Sequence, residues 1–255
     1  MKLLFVLESQ FSKLPEGDVN KFLVTTLPKL TNELLSFIGC LRHGSAWGSL
    51  HHTRAIIEIA AMVNHINASP AKRERRLAKY AEFTDFVRCQ FFLGLTPDSD
   101  GSISEAAAAR GLPPPTTAEV SLWWKRIETW RSLYVTAKRP DLSQVRYWHA
   151  PASLEQLVRD LGSDDAWWSN YERLCHGTHV SPLGYRLVVQ GNPMLVGFRG
   201  DQPHVLLALQ GLTMAFARCI VEFDKLLEEK LIGALEPEAS ALLLAARAER
   251  ERLKS

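Results

Sequence analysis

Arg173 and His179 are the two residues of this sequence whose chemistry would be most useful together. They lie near the end of the segment 164–186, which reads DDAWWSNYERLCHGTHVSPLGYR. An imidazole can accept or donate a proton near neutral pH, and a guanidinium can bind a phosphate through two hydrogen bonds and stabilise its developing charge. Together they would suffice for metal-free RNA cleavage, in which the 2′-hydroxyl attacks the adjacent phosphate. His179 would be the general acid or base and Arg173 the phosphate-binding group.

A structural role for both residues is the alternative. Arg173 could form an ion pair with a neighbouring carboxylate, and His179 could hydrogen-bond a loop carbonyl. The carboxylates within reach in the sequence are Glu172, Asp164 and Asp165. The spacing of Arg173 and His179 alone leaves both interpretations open.

Metal binding and a cysteine nucleophile are further alternatives. Zinc could use soft ligands of this segment, but Cys175 and His176 are adjacent, so they point apart on a helix, and no HExxH pattern is present. Cys175 could be a nucleophile paired with His179, although a cysteine beside an apolar stripe is normally inert. We therefore predict neither a metal nor a cofactor. The ligands considered were Cys175, His176 and His179, with His149, His51 or His52 completing the set.

The segment begins as a helix that should position these groups. Its two aspartates suit a helix N-terminus, and an apolar stripe follows at helical spacing: Trp167, Tyr171 and Leu174. Arg173 and His176 lie on a different face. Gly177 and the Ser181-Pro182 pair favour an end to the helix. His179 therefore falls just past the predicted helix end.

A second helix, from about Trp47 to His65, is apolar on most sides. Within it Arg54 and Glu58 are four positions apart, so they share a face and are expected to form an ion pair. We expect this pair, with Tyr171 and His176, to support the candidate site.

Helical periodicity dominates the remainder and predicts an all-α protein, a helical bundle in a single domain spanning 1–255. A flexible connection rich in Gly, Pro and Ser is expected at 94–117, with one short helix near 104–110, and the motif-bearing part is 118–233. This connection could be a domain boundary or a long loop within one domain. Pro28 predicts a kink or break in the first long helix. Thr116 and Glu119 form a capping box. Tyr185–Gln190 and Met194–Phe198 could pair as a minor hairpin.

Four basic residues repeat at helical spacing after Ser69-Pro70 and are predicted to lie on the outer side of their helix. Such a stripe would suit an RNA backbone, or it could be an ordinary solvated face balanced by Glu74 and Glu82. The tryptophans could likewise stack on bases or pack in the core. The basic residues are Lys72, Arg75, Arg76 and Lys79.

Charge and composition narrow the classes of protein. The net charge is +2, so no global basic field directs the chain to nucleic acid. The cysteines form no CxxC pair, and the apolar run after Met1 is too short for a signal peptide, so we expect free thiols and a cytoplasmic protein. The longest uncharged run, His204 to Ala217, falls short of a membrane span, and no membrane association is expected.

An all-helical chain with Arg173 and His179 separated by five residues resembles the HEPN superfamily, whose signature is R-x4–6-H. Many HEPN proteins are metal-independent ribonucleases of toxin–antitoxin, CRISPR-associated and phage-defence systems, and they typically dimerise so that two motifs face each other. The resemblance implies RNA as substrate, a homodimer, and an antitoxin or defence-system partner. This chain departs from the pattern by carrying Leu174 directly after Arg173.

A narrower resemblance covers roughly Trp47 to Arg186. The stretch RYWHAPASLEQLVRDLG, the later YERLCHGTHVSP and the upstream Arg54–Glu58 spacing look like a widespread family of uncharacterised helical bacterial proteins. A second hypothesis keeps the same residues without catalysis: a helical module that binds a protein partner or a nucleotide.

Overall fold

The structure is a computed structural model, and it describes residues 17–93, 103–137, 141–162, 165–178, 189–190, 195–196 and 202–227. These residues form helices with one two-stranded ladder, so the predicted all-α class is confirmed. In chain order the helices are α1 (Asp18–Arg42), α2 (Ala46–Asn67), α3 (Pro70–Leu93), α4 (Ile103–Ala108), α5 (Thr117–Tyr134), α6 (Leu154–Arg159), α7 (Ala166–Thr178) and α8 (Gln202–Leu226).

The chain divides into two compact units, one formed by Met1–Pro70 with Leu154–Ser255 and the other by Ala71–Ser153. The predicted motif-bearing part, 118–233, thus includes residues of both units. Within the predicted connection, α4 lies close to the expected short helix, and residues 94–102 lie outside the described residues. The expectation of a single domain stays a prediction.

Helix α2 is the centre of the first unit, where it packs against α1, α6, α7 and α8. Its apolar residues are fully buried because helices cover it on most sides, as its sequence predicts. They include Ile56, Ile57, Ile59, Ala60, Ala61 and Val63. Helix α1 runs through Pro28 without a break, and Pro28 is exposed, so its ring meets solvent rather than a neighbouring helix.

Helices α2 and α8 approach closely because α8 presents small residues at the crossing. A Cβ at Gly211 would lie 2.9 Å from Cγ2 of Thr53. The Thr53 hydroxyl donates to the carbonyl of Ser49 at 2.9 Å and contacts that of Ala208 at 3.2 Å. A larger residue at position 211 would therefore separate the helices that carry most of this core.

Helix α8 also carries a buried carboxylate. The side chain of Glu222 is completely buried. Its carboxylate accepts a hydrogen bond from Asn67 Nδ2 at 3.0 Å and forms ion pairs with Arg218 at 3.1 Å and Lys225 at 2.8 Å. These contacts satisfy the charge and fix the C-terminal end of α2 against α8.

Among the described residues, Val205–Leu226 is one helical stretch long and apolar enough, by length and composition alone, to cross a membrane. The uncharged part of this stretch ends at Ala217, whereas the helix continues past Arg218. The same property is found in core helices of soluble proteins. The expectation that the chain does not enter a membrane stays a prediction.

The second unit is built around aromatic residues of α3 and α5. The rings of Phe86 and Tyr134 stack at 4.9 Å between centroids, and Trp130 meets Phe86 edge-on at 5.6 Å. The predicted capping box of Thr116 and Glu119 is present at the start of α5, and the helix ends at Tyr134. The inward face of α5 consists of Trp123, Trp130 and Tyr134, all of which are buried.

The minor hairpin is also present. Val189–Gln190 (β1) pairs antiparallel with Leu195–Val196 (β2), with Val189 opposite Val196 and Gln190 opposite Leu195. The remaining residues of the two predicted runs lie outside the described residues.

Candidate functional site

Helix α7 is fixed against α2 by its apolar stripe. Tyr171 and Leu174 are 4% and 1% exposed, which confirms the predicted stripe at these positions. The burial of Leu174 gives a physical reason for the departure from the HEPN pattern, because a polar residue directly after Arg173 would have to enter this core.

A polar cluster lies beside the stripe and joins the two helices. Glu58 accepts hydrogen bonds from Arg54 Nε at 3.0 Å and from the Tyr171 hydroxyl at 2.7 Å. The Arg54 guanidinium carbon is 5.6 Å from the centroid of the Tyr171 ring, within range of a cation–π contact. The expected ion pair of Arg54 and Glu58 is therefore confirmed, and it contacts the helix that carries Arg173.

Burial and the bond to Glu58 raise the pKa of Tyr171, so its hydroxyl stays protonated and continues to donate across the neutral pH range. The hydrogen bond from Tyr171 to Glu58 therefore links α7 to α2 throughout that range. The cluster of Arg54, Glu58 and Tyr171 can orient α7, the helix that carries Arg173, without taking part in proton transfer itself.

Arg173 lies on the outward face of α7 and is exposed. Within the described part of the chain it forms no ion pair. Asp165, one of the partners considered from the sequence, pairs with Arg159 instead. The Arg173 guanidinium is thus presented to solvent, where a phosphate could reach it.

Two histidines, His176 and His179, follow Arg173 along the chain. His176 lies in α7, but its side chain is not described, and His179 and Asp164 lie outside the described residues. That the Arg173 guanidinium and the His179 imidazole act together therefore remains a prediction.

Cys175 is half-buried one turn after Tyr171. Burial raises the pKa of the Cys175 thiol, with Arg54 opposing that effect only in part, so the thiol is expected to be protonated at neutral pH. This does not favour a cysteine nucleophile. Among the described residues no group of His, Cys, Asp and Glu is arranged to hold a metal ion.

The basic stripe of α3 does not form one exposed surface, and the prediction that placed Lys79 on the outer side was wrong. Lys79 is 8% exposed, and its ammonium donates to the carbonyl of Ala150 at 2.7 Å. Arg75 is exposed and donates to the carbonyl of Ser132 at 3.0 Å. Lys72 is exposed and Arg76 half-buried. Lys79 cannot meet a phosphate backbone without leaving its buried position.

The tryptophans divide between core and surface. Trp123, Trp130 and Trp148 are buried, whereas Trp124 is 60% exposed. Trp167 and Trp168 are half-buried beside the motif residues, and Arg159 lies over the Trp168 ring at 5.2 Å. Among the tryptophans whose side chains are described, Trp124 is the most exposed.

From the sequence, His51 and His52 are candidates only as metal ligands. In the structure, His52 Nδ1 lies 2.7 Å from Glu33 Oε2, and the His51 ring meets the His52 ring edge-on at 5.5 Å. The sequence did show two adjacent histidines shortly before Arg54 on the same helix, which is the signal that could have identified this cluster. Their carboxylate partner on α1 could not be read from spacing.

Comparison of the chain with protein-family models, with curated proteins and with solved structures finds no match. The functional assignment therefore depends on the residues and contacts themselves.

Proposed function

We propose that this chain is a HEPN-like, metal-independent ribonuclease, or a related toxin or phage-defence protein. The observation that carries the proposal is the bonding of Tyr171 to Glu58, and of Glu58 to Arg54, which fixes α7 while Arg173 remains exposed. A phosphate-binding group on a rigid helix is what a preorganised site requires.

In the proposed reaction Arg173 binds the scissile phosphate and stabilises the charge that develops on its oxygens. His179 transfers a proton, and the Arg54–Glu58–Tyr171 cluster holds the helix. RNA is the substrate, and we expect a cytoplasmic homodimer that brings two motifs together, controlled by an antitoxin or another defence-system partner.

The test is cleavage of single-stranded RNA by the purified protein in EDTA. Arg173→Ala and His179→Ala should each lower the rate roughly 100-fold or more, since each removes a group that acts in the transition state. Arg42→Ala and His43→Ala are matched controls, because both residues are exposed at the end of α1. Circular dichroism and thermal melting should be unchanged in all four variants. Equal rates for wild type and the site variants would remove the catalytic proposal.

A second candidate function is a non-catalytic module that binds a protein partner. It is favoured by the apolar side chains that α8 leaves exposed, among them Leu206 at 56% and Val221 at 41%. Under this function the protein would not cleave RNA, and Leu206→Asp would release a partner while Arg173→Ala would not.

A further inference from the structure

The second unit contains a groove that is lined by α3, α5 and the segment 142–146. Its volume is about 620 Å³, which is within the range of small-molecule sites in proteins. Its lining residues all belong to this unit, and all of them lie among the residues that the structure describes. None of them belongs to the candidate ribonuclease site. The groove is therefore a separate place at which the chain could bind a ligand.

The walls of the groove are mainly apolar, and part of that apolar surface meets solvent. Val87 and Phe91, one turn apart on α3, are both exposed. Ile127 and Trp130 of α5 also line the groove. Trp130 donates its indole N–H to Glu82 at 3.0 Å, so the polar atom of this side chain is already satisfied. A ligand that covered Val87 and Phe91 would remove apolar area from water, which favours binding.

The polar groups of the groove are few, and one of them is a cation. The Gln90 amide donates to the carbonyl of Leu142 at 2.7 Å, which ties the segment 142–146 to α3. Arg146 lines the groove and is exposed, and within the described part of the chain it forms no ion pair. Burial raises the pKa of the Cys89 thiol to about 11, so this lining group is neutral. One guanidinium in an apolar groove is complementary to a ligand with one anionic group.

We propose that this groove binds a medium-chain fatty carboxylate. The acyl chain lies over Val87 and Phe91, and the carboxylate binds Arg146 and the hydroxyl of Ser143. Asp141, next to this segment, accepts the amide hydrogen of Ser143 at 2.9 Å and does not pair with the guanidinium. A nucleotide would fit less well, because the edge of a base needs several hydrogen-bonding partners. This binding is independent of RNA cleavage.

The experiment is isothermal titration of the full chain with decanoate, octanoate and decanol. Decanoate should bind saturably with one molecule per chain. Octanoate should bind roughly tenfold more weakly, because two fewer methylene groups are buried. Decanol should also bind roughly tenfold more weakly or worse, because it has no charge for the guanidinium to bind.

Two variants test the two parts of the groove. Arg146→Gln should weaken decanoate binding roughly tenfold and leave decanol binding unchanged. Val87→Asp should abolish decanoate binding, because it places a carboxylate in the apolar wall. The matched control is Leu122→Asp, since Leu122 is 42% exposed and Val87 41%, and Leu122 does not line the groove. Thermal melting of each variant checks that it remains folded.

Three results would overturn the proposal. Decanoate may titrate without saturation, it may bind wild type and Val87→Asp equally, or Arg146→Gln may leave its affinity unchanged. A concentration-dependent dimer that Val87→Asp dissociates, in a protein that binds no decanoate, would assign the groove to a second copy of the chain instead. RNA cleavage and its dependence on Arg173 are measured separately, so the proposed ribonuclease function stands or fails on its own.

Discussion

Two clusters of this molecule place a cation over a tyrosine ring, and they differ in how the charge is compensated. In the first unit, Arg54 lies 5.6 Å from the Tyr171 ring and pairs with Glu58. In the second, Lys79 lies 5.7 Å from the Tyr134 ring and donates to the neutral carbonyl of Ala150. Among the described residues no carboxylate pairs with Lys79.

The difference is visible in the protonation of Lys79. Burial, with Arg75 and Arg76 nearby, lowers the pKa of Lys79 to about 8 from an ordinary 10.5. A neutral carbonyl offers a buried ammonium only a dipole, whereas a carboxylate offers a guanidinium a full opposite charge. The first cluster is thus suited to fix a helix at all moderate pH values, and the second is sensitive to pH.

The largest expected effect on the free energy of unfolding comes from removing the Glu58 carboxylate. Glu58→Ala removes both the ion pair with Arg54 and the acceptor of the Tyr171 hydroxyl, so the free energy of unfolding should fall by about 3 kcal/mol. Chemical denaturation of each variant measures it. The matched control is Glu155→Ala, which removes an ion pair of the same spacing and the same 3.0 Å length on the surface, with Arg159. A loss no larger than in the control would mean that the cluster does not fix α7.

These two clusters also show what the sequence can reveal. The Arg54–Glu58 pair was predictable because both residues belong to one helix, whose period fixes which side chains meet. The bond from Tyr171 to Glu58 joins residues 113 positions apart, and nothing in either helix alone specifies it. The stripe of α7 was predictable for the same local reason, but the helix it packs against was not.

Lys79 shows why the outer face of α3 was predicted incorrectly. Its spacing from Lys72, Arg75 and Arg76 does place it in their row, as the helical period requires. A distant segment that includes Ala150 then covers the end of the row. Periodicity describes one helix at a time, so it cannot predict which part of a polar face another segment buries. The Glu33 partner of His52 was missed for the same reason.

The second effect is a rise in stability with pH that depends on Lys79. Because its folded pKa is about 8 and its ordinary value 10.5, the unfolded chain holds more protons between these values. The free energy of unfolding therefore increases as pH rises through this range, by about 2 kcal/mol from pH 7 to 9.5. Denaturation at a series of pH values would measure the slope.

The control for this slope is on the same helix. Lys79→Met retains the apolar length of the side chain and should remove the rise, while Lys72→Met, at an exposed position, should keep it. A slope that survives in Lys79→Met would assign the titration to another group.

The smallest expected effect on the free energy of unfolding comes from removing a single tyrosine hydroxyl in either cluster. Tyr171 donates to a carboxylate, whereas Tyr134 donates to the backbone carbonyl of Lys79. A bond to a charged acceptor is the stronger, so Tyr171→Phe should lower the free energy of unfolding by about 1.5 kcal/mol and Tyr134→Phe by about 1 kcal/mol. The two values are close, so single variants alone would not separate the clusters.

A double-mutant cycle separates them, because it reports only the interaction between the two altered residues. Tyr171→Phe combined with Glu58→Ala should be less destabilising than the two single losses together by about 1 kcal/mol, since both remove the same bond. Tyr134→Phe combined with Glu58→Ala should be additive, because these residues share no bond. If the first pair were additive as well, Tyr171 would be held by packing of its ring, and the carboxylate would act on Arg54 alone.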